Sequence, residues 1–267
     1  MKLRAENLDV GHDFRHVVQR DISFEVESGE VCCVLGPNGC GKTTLFDTML
    51  GLLAPRSGHA YLEFDDGTKR DVHQMKPEER AQVLSYVAQH HQPPFPYATR
   101  DVIEMGLVDR ILAGGTPTED EEQLVDETME ELGIWELRDE PYTQLSGGEL
   151  QLTMIARALV QRPRFVFLDE PTAALDYGNE IRVIEQVKRL AERGMGVLMT
   201  THNPDHAFLL DANAVLLGKD FPMVAGSCWD VLTDSAMCAA YKTEVYRVQF
   251  ERLDGGRMYV CVPDLGD

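Results

Sequence analysis

Nine consecutive residues constrain this chain more than any others: Gly36-Pro37-Asn38-Gly39-Cys40-Gly41-Lys42-Thr43-Thr44, set directly after the apolar run Val31–Leu35. A strand that ends in a glycine-rich turn and opens into a helix is the context in which backbone N–H groups wrap a polyphosphate. Glycines at 36, 39 and 41 let the amides turn inward, and the following helix adds the positive end of its dipole. Lys42 is expected to reach the β- and γ-phosphates of a nucleotide, and Thr43 to ligate Mg²⁺. Pro37, Asn38, Cys40 and Thr44 complete the loop.

Such a loop needs a sheet behind it, and the rest of the chain supplies one. Phe165–Leu168 and Val197–Thr200 are short runs rich in β-branched and aromatic residues, and they bracket a helical stretch over Asn179–Arg193. Strand, helix, strand at that spacing reads as a parallel sheet wound with helices, an α/β fold. The first ~65 residues alternate as strands over Lys2–Val10, Ile22–Glu27, Val31–Leu35 and Tyr61–Phe64, and helical signals follow over Thr43–Leu53. Residues 118–132 predict a further helix, opened by a capping box of Thr118 with Glu121. Its apolar face is Leu124, Val125, Thr128, Met129 and Leu132. Acidic residues cover the remainder, as on a solvated outer surface.

Two further elements carry chemistry. Phe165-Val-Phe-Leu-Asp169-Glu170 ends an apolar strand in two acids, which places both at the carboxyl edge of a parallel sheet, beside the phosphate loop. Asp169 can hold Mg²⁺, and Glu170 can take a proton from an attacking water. Leu145-Ser146-Gly147-Gly148-Glu149 opens a helical stretch running to about Gln161. Glycines at a helix N-terminus make a second anion site, with Ser146 as an added donor. One chain hardly needs two γ-phosphate sites for one nucleotide. A second copy resolves this, if each copy closes over the nucleotide held by the other.

With these residues in order, the chain resembles the ATP-binding cassette family over nearly its whole length to about Gly218. The motifs are the phosphate loop, Ser85-Tyr-Val-Ala-Gln89, the glycine signature at 145–149, the acidic strand, Ala174-Leu-Asp176 and Thr200-Thr-His202. The resemblance implies an α/β P-loop NTPase (RecA-like) core with an N-terminal antiparallel β subdomain and a helical subdomain. It implies that Gln89 contacts the metal, that Asp176 lies at a dimer seam, and that His202 holds the γ-phosphate and the attacking water. Family members usually stack adenine on an aromatic of the first hairpin. Phe14 is the candidate, with His12 or His16 as alternatives. Glu149 stands where the family most often has glutamine. Cys40, near a helix N-terminus, is expected to have a lowered pKa, and its alkylation to block ATP binding.

The run into Asp101–Gly106, with Phe95 and Tyr97 before it, resembles the cytoplasmic subunits of importers for iron–siderophore, haem and cobalamin complexes. ATP and Mg²⁺ are therefore the expected cofactors. The expected partners are a second copy, integral membrane permease subunits and an extracytoplasmic substrate-binding protein. A soluble cassette of the iron–sulfur assembly type is the alternative. The resemblance places residues 1–218 in the cassette, with a helical subdomain inserted at about 90–160. Residues 219–267 then form a small appendage. A formal net charge of −20 weighs against nucleic acid as a partner. No apolar run is long enough to span a bilayer, and the first residues lack the pattern of a signal peptide. The expected location is cytoplasmic, peripheral on the inner face of the membrane through the permease.

Overall fold

The computed structural model describes residues 1–13, 16–89, 95–107, 117–251, 255 and 257–264. The chain opens with strand β1 (Lys2–Asp13) paired antiparallel to β2 (His16–Glu27). In β1 the buried apolar side chains are Leu3, Ala5, Leu8 and Val10, a pattern that breaks strict alternation. The cause is a bulge: the register slips between Ala5 and Leu8, and Asn7 takes a left-handed φ of 48°. The extra residue restores the apolar side chains to one face. Asn7 is held there by donating its N–H to Ser23 Oγ at 2.9 Å and its side-chain amide to Asp21 at 3.0 Å. With β4 (Ser57–Glu63) and β5 (Lys69–Asp71) these strands form a four-stranded antiparallel sheet in the order β2-β1-β4-β5.

The second sheet is built around β3 (Val31–Leu35), buried at all five positions. Its neighbours are β8 (Gly196–Thr201) and β9 (Asn213–Leu216), both parallel to it. The full order is β10-β9-β3-β8-β7-β6, where β6 is Leu84–Val87, β7 is Phe165–Leu168 and β10 is Val224–Ser227. Strands β6 to β9 and β3 are parallel, and β10 closes one edge antiparallel to β9. Continuous apolar runs in β3, β7 and β8 follow from both faces being covered. On one face Cys32, Val34, Phe165 and Phe167 pack against the antiparallel sheet and helix α1 (Lys42–Met49), with Phe46 edge-on to Phe167 at 5.0 Å. On the other, Cys33, Leu35, Val166 and Leu168 meet the apolar faces of the helices that follow.

Helix α1 stops at Met49, short of the expected Leu53, because the chain turns at Gly51 with φ 72°. After α2 (Pro77–Ala81) and α3 (Thr99–Glu104) comes α4 (Glu119–Glu131), which opens with the expected Thr118–Glu121 capping box and buries Val125, Thr128 and Met129. Arg100 of α3 pins it by donating to Asp126 at 2.7 Å. Helix α5 (Gly147–Leu159) lies close against the single turn Met105–Leu107 that follows α3: a β-carbon on Gly106 would lie 2.2 Å from the Arg157 carbonyl oxygen. Helix α6 (Tyr177–Glu192) turns Val183, Ile184, Val187 and Leu190 to the core, a spacing that lines one helical face. Among the described residues no helix is long and apolar enough to cross a membrane.

Beyond residue 218 the chain continues the main sheet through β10. Helices α8 (Cys228–Val231) and α9 (Asp234–Tyr241), after α7 (Asp205–Leu209), then bury Cys228, Val231, Met237 and Ala240 in the core. Only the hairpin of β11 (Val245–Glu251) and β12 (Arg257–Pro263) forms a sheet of its own. It docks on α7 and α8 by stacking Tyr259 near Phe208 and Trp229, and by donating the Cys261 N–H to Asp205 at 2.8 Å.

Candidate functional site

The end of β3 and the start of α1 frame an open cleft of about 470 Å³ lined by His12, Val18, Asn38, Gly39, Gly41, Lys42, Thr43, Thr44, Gln89 and Glu170. Gly36, Gly39 and Gly41 all have positive φ (148°, 73° and 105°), the backbone that turns successive amides to one side. Two of them also have no room for a side chain. A β-carbon at Gly36 would lie 2.4 Å from the Leu217 carbonyl oxygen, and one at Gly41 2.7 Å from Val18. Cys40 N–H closes the turn onto the Pro37 carbonyl at 3.2 Å.

Lys42 is buried under this loop. Its Nζ donates to the Gly36 carbonyl at 2.9 Å and lies 3.3 Å from Glu170 Oε1. Thr43 donates its hydroxyl to Asp169 Oδ2 at 2.9 Å. Asp169, buried at the end of β7, also accepts from Tyr86 at 3.3 Å and from Thr200 at 2.5 Å. Burial, reinforced by the Asp169 charge, pushes the Tyr86 phenol well above its ordinary pKa, so it stays protonated and donates to the carboxylate.

Glu170 follows with a left-handed φ of 46°, a conformation that costs a non-glycine residue on the order of 1 kcal/mol and aims its side chain into the cleft. Its N–H donates to Thr200 Oγ at 2.7 Å, which fixes that backbone. Gln89 donates its amide to Glu170 Oε2 at 2.9 Å, and His202 Nδ1 stands 3.8 Å from the same oxygen. Residues far apart in the sequence thus converge on one carboxylate.

Three contributors were not singled out as site residues in the sequence, although Tyr86 and Thr200 lie within its motifs. Gln19, a buried polar residue in β2, donates to both the Cys40 and Gly218 carbonyls, at 2.9 and 2.7 Å, and braces the loop from behind. Thr200 and Tyr86 orient Asp169. His12, an alternative to Phe14, lines the cleft and lies 3.4 Å from Thr44 Oγ. Phe14 lies outside the described residues.

The expectation for Cys40 needs correcting. The thiol is 1% exposed, and burial raises its pKa above the ordinary value, outweighing the Lys42 charge and the loop amides that lower it. Cys40 is a packed loop residue, not an activated thiol.

Ser146, Gly147, Gly148 and Asp176 do not line this cleft. They gather at the starts of α5 and α6. Ser146 caps α5, accepting from Glu149 N–H, and its own N–H and hydroxyl donate to Glu149 Oε2 at 2.9 and 2.7 Å. These bonds hold the Glu149 carboxyl below its usual range. Asp176 caps α6, accepting from the Asn179 backbone at 2.9 Å and side chain at 2.8 Å, which likewise lowers its pKa. Gly148 is small by necessity: a β-carbon there would lie 2.3 Å from Asn179 Oδ1. The result is an exposed, glycine-edged ledge of helix N-termini separate from the phosphate loop.

The family model described as ABC transporter matches residues 19–173, a span that runs from Gln19 through the loop and Ser146–Gly148 to both acids. The chain belongs to the ABC transporter family. An uncharacterized ABC transporter ATP-binding protein of Haemophilus influenzae is 36% identical over 91% of this chain and 90% of its own length. The lipopolysaccharide export system ATP-binding protein LptB of Acidithiobacillus ferridurans is 35% identical over 88% of this chain and 94% of its own. Among solved structures, an inward-facing ABC transporter described as of metal-chelate type superimposes with a TM-score of 0.85 at 28% identity, covering 98% of this chain and 96% of that one. The fold is the expected ABC ATPase architecture, and the protein is a nucleotide-binding ATPase of an ABC transporter.

Proposed function

We propose that this ABC ATPase powers an importer for a metal-chelate substrate of the iron–siderophore, haem or cobalamin type. It works as an ATP-dependent pair on permease subunits at the inner face of the membrane, served by an extracytoplasmic binding protein. The observation that carries the ATPase part is the convergence of Lys42, Gln89 and His202 on Glu170, beside Thr43 and Asp169. The metal-chelate part is supported by the metal-chelate type neighbour, whose similarity extends through nearly all of the chain.

In this reading the loop amides of 36–44 and Lys42 bind the phosphates of ATP, and the nucleotide draws Lys42 from its internal partners. Thr43 and Asp169, whose oxygens already meet at 2.9 Å, and Gln89 form an oxygen-rich donor set of the kind Mg²⁺ prefers, and they would hold it. Bound Mg²⁺ neutralises charge on the transferring phosphate. Glu170 accepts a proton from the attacking water, its carboxylate aimed by Gln89 N–H and by its own strained backbone. His202 stands beside the same oxygen, where it can orient that water and the γ-phosphate. The ledge of Ser146–Gly148 and Asp176 closes over the nucleotide of a second copy. Loss of the γ-phosphate then releases that grip and moves the permease.

Replacing Glu170 with Gln preserves shape and removes the base. Turnover is expected to fall by roughly 10²–10⁴-fold, with a closed ATP-bound dimer accumulating on gel filtration. Turnover equal to the parent would remove Glu170 from this role. The substrate class is tested by isolating the chain from detergent-solubilised membranes and identifying its partner by mass spectrometry. A permease whose vesicles take up a metal chelate supports the reading, and a permease that exports lipid contradicts it.

A further inference from the structure

A second histidine lies four residues beyond His202, and nothing above uses it. His206 is 2% exposed at the start of α7, yet both ring nitrogens are engaged. Nε2 lies 2.6 Å from Glu180 Oε1, on the first turn of α6. Nδ1 lies 2.9 Å from Thr201 Oγ, at the last residue of β8. Burial lowers the His206 pKa, outweighing the Glu180 carboxylate that raises it, so the neutral ring prevails. Its tautomer follows from the partners. A carboxylate can only accept, so Nε2 carries the proton and Nδ1 accepts from the Thr201 hydroxyl. Thr201 Oγ in turn accepts from the Asn203 N–H at 3.1 Å. The donors run in one direction: Asn203 to Thr201 to His206 to Glu180.

This chain spans two functional elements. At one end is the turn Thr201–Asn203, which carries His202 to within 3.8 Å of Glu170. At the other is the first turn of α6, capped by Asp176 and carrying Asn179, whose side chain sits against Gly148 of the ledge. A buried imidazole held by Glu180 and Thr201, with the Asn203 side-chain amide a further 3.4 Å from Nε2, is a rigid spacer, because a buried ring nitrogen left without a partner is strongly disfavoured.

We propose that His206 is a positioning residue for ATP hydrolysis: through Thr201 and Glu180 it ties the turn bearing His202 to the helix start that adjoins Gly148. Any shift of the ledge, as when it meets a second copy, is thereby transmitted to His202. The inference rests on the proposed role of His202 beside Glu170 and adds the residue that sets its place.

The test uses the full-length chain. His206→Leu deletes both hydrogen bonds, whereas His206→Gln keeps an N–H for Glu180. Thr201→Val removes the Nδ1 contact from the other side with little change of shape, together with the acceptor of the Asn203 N–H. Steady-state ATPase assays of His206→Leu and Thr201→Val are expected to show kcat reduced roughly five- to tenfold, the loss of about one buried hydrogen bond, with KM for ATP within twofold because the loop 36–44 is untouched. His206→Gln should recover most of that loss. On a His202→Ala background, His206→Leu should lower kcat no further, since it acts through His202. Unchanged kcat in Thr201→Val, or an equal proportional loss on both backgrounds, overturns the proposal. Should His206→Leu not fold, His206→Ala takes its place beside Thr201→Val, and parental kcat in either variant overturns the proposal. Glu170→Gln separates the two levels: parental turnover in that variant defeats the hydrolytic site itself, whereas its loss beside a normal Thr201→Val defeats only the coupling.

Discussion

Cys40 sits in a loop that attracts anions, yet its thiol faces the protein interior, against Gly36, where a charge is disfavoured. A raised pKa in the fold means that unfolding restores the ordinary thiolate population. At neutral pH, iodoacetamide is therefore expected to label Cys40 more slowly in the native protein than in the denatured chain. Peptide mass mapping of the two samples checks this, and equal rates would contradict the burial argument. Gly36 to Thr44 are legible because the turn is local and its glycines are required by backbone conformation. Asp169 and Glu170 are legible because strand polarity places them. Gln19 and His206 are not, because each acts across distance. Gln19 reaches a carbonyl 199 positions away, and only burial distinguishes His206 from a surface histidine. The Cys40 expectation failed for the same reason: its helix neighbour is visible in the sequence, but the residues that bury it are not.

Among the elements, the start of α5 explains an oddity of composition. Glu149 replaces the family's commoner glutamine, and the Ser146–Glu149 capping box shows why the exchange is tolerated: either side chain can accept from the Ser146 backbone while Ser146 accepts in return. Ser146→Ala is expected to lower stability by about 1 kcal/mol in urea unfolding, the usual cost of losing a cap. Glu149→Gln should change it by no more than ~0.5 kcal/mol, since only a favourable charge at the helix N-terminus is lost. A cost of Glu149→Gln matching that of Ser146→Ala would contradict this account. The extent of α4 was legible from its helical spacing and capping box, whereas α6 begins at Tyr177, two residues before the expected Asn179, because Asp176 caps it. The end of α1 was not legible, because the apolar residues after Met49 continue the helical pattern past the turn at Gly51. The bulge in β1 also escaped, since an apolar pattern of 3, 5, 8, 10 fits no single period until the pairing of Asn7 is known.

For the whole molecule, charge sets the terms of pairing. Two copies at −20 each repel most strongly at low ionic strength, where screening extends to ~30 Å near 0.01 M. The dimer is expected to be weak or absent without nucleotide and to strengthen with moderate salt, read by sedimentation equilibrium across a salt series. A tight nucleotide-free dimer in low salt would contradict this. The general α/β layout was legible because parallel strands buried on both faces are written as uninterrupted apolar runs. The edge strand β10 was not, because Val224–Ser227 is short and only partly apolar. Strand order also bears on how the protein is made. The strand that carries the phosphate loop is synthesised early but has only late partners, Gly196–Thr201 and Asn213–Leu216. While the ribosome adds the intervening residues, that nascent segment has no neighbour to pair with, so the nucleotide pocket can mature only after most of the polypeptide has emerged.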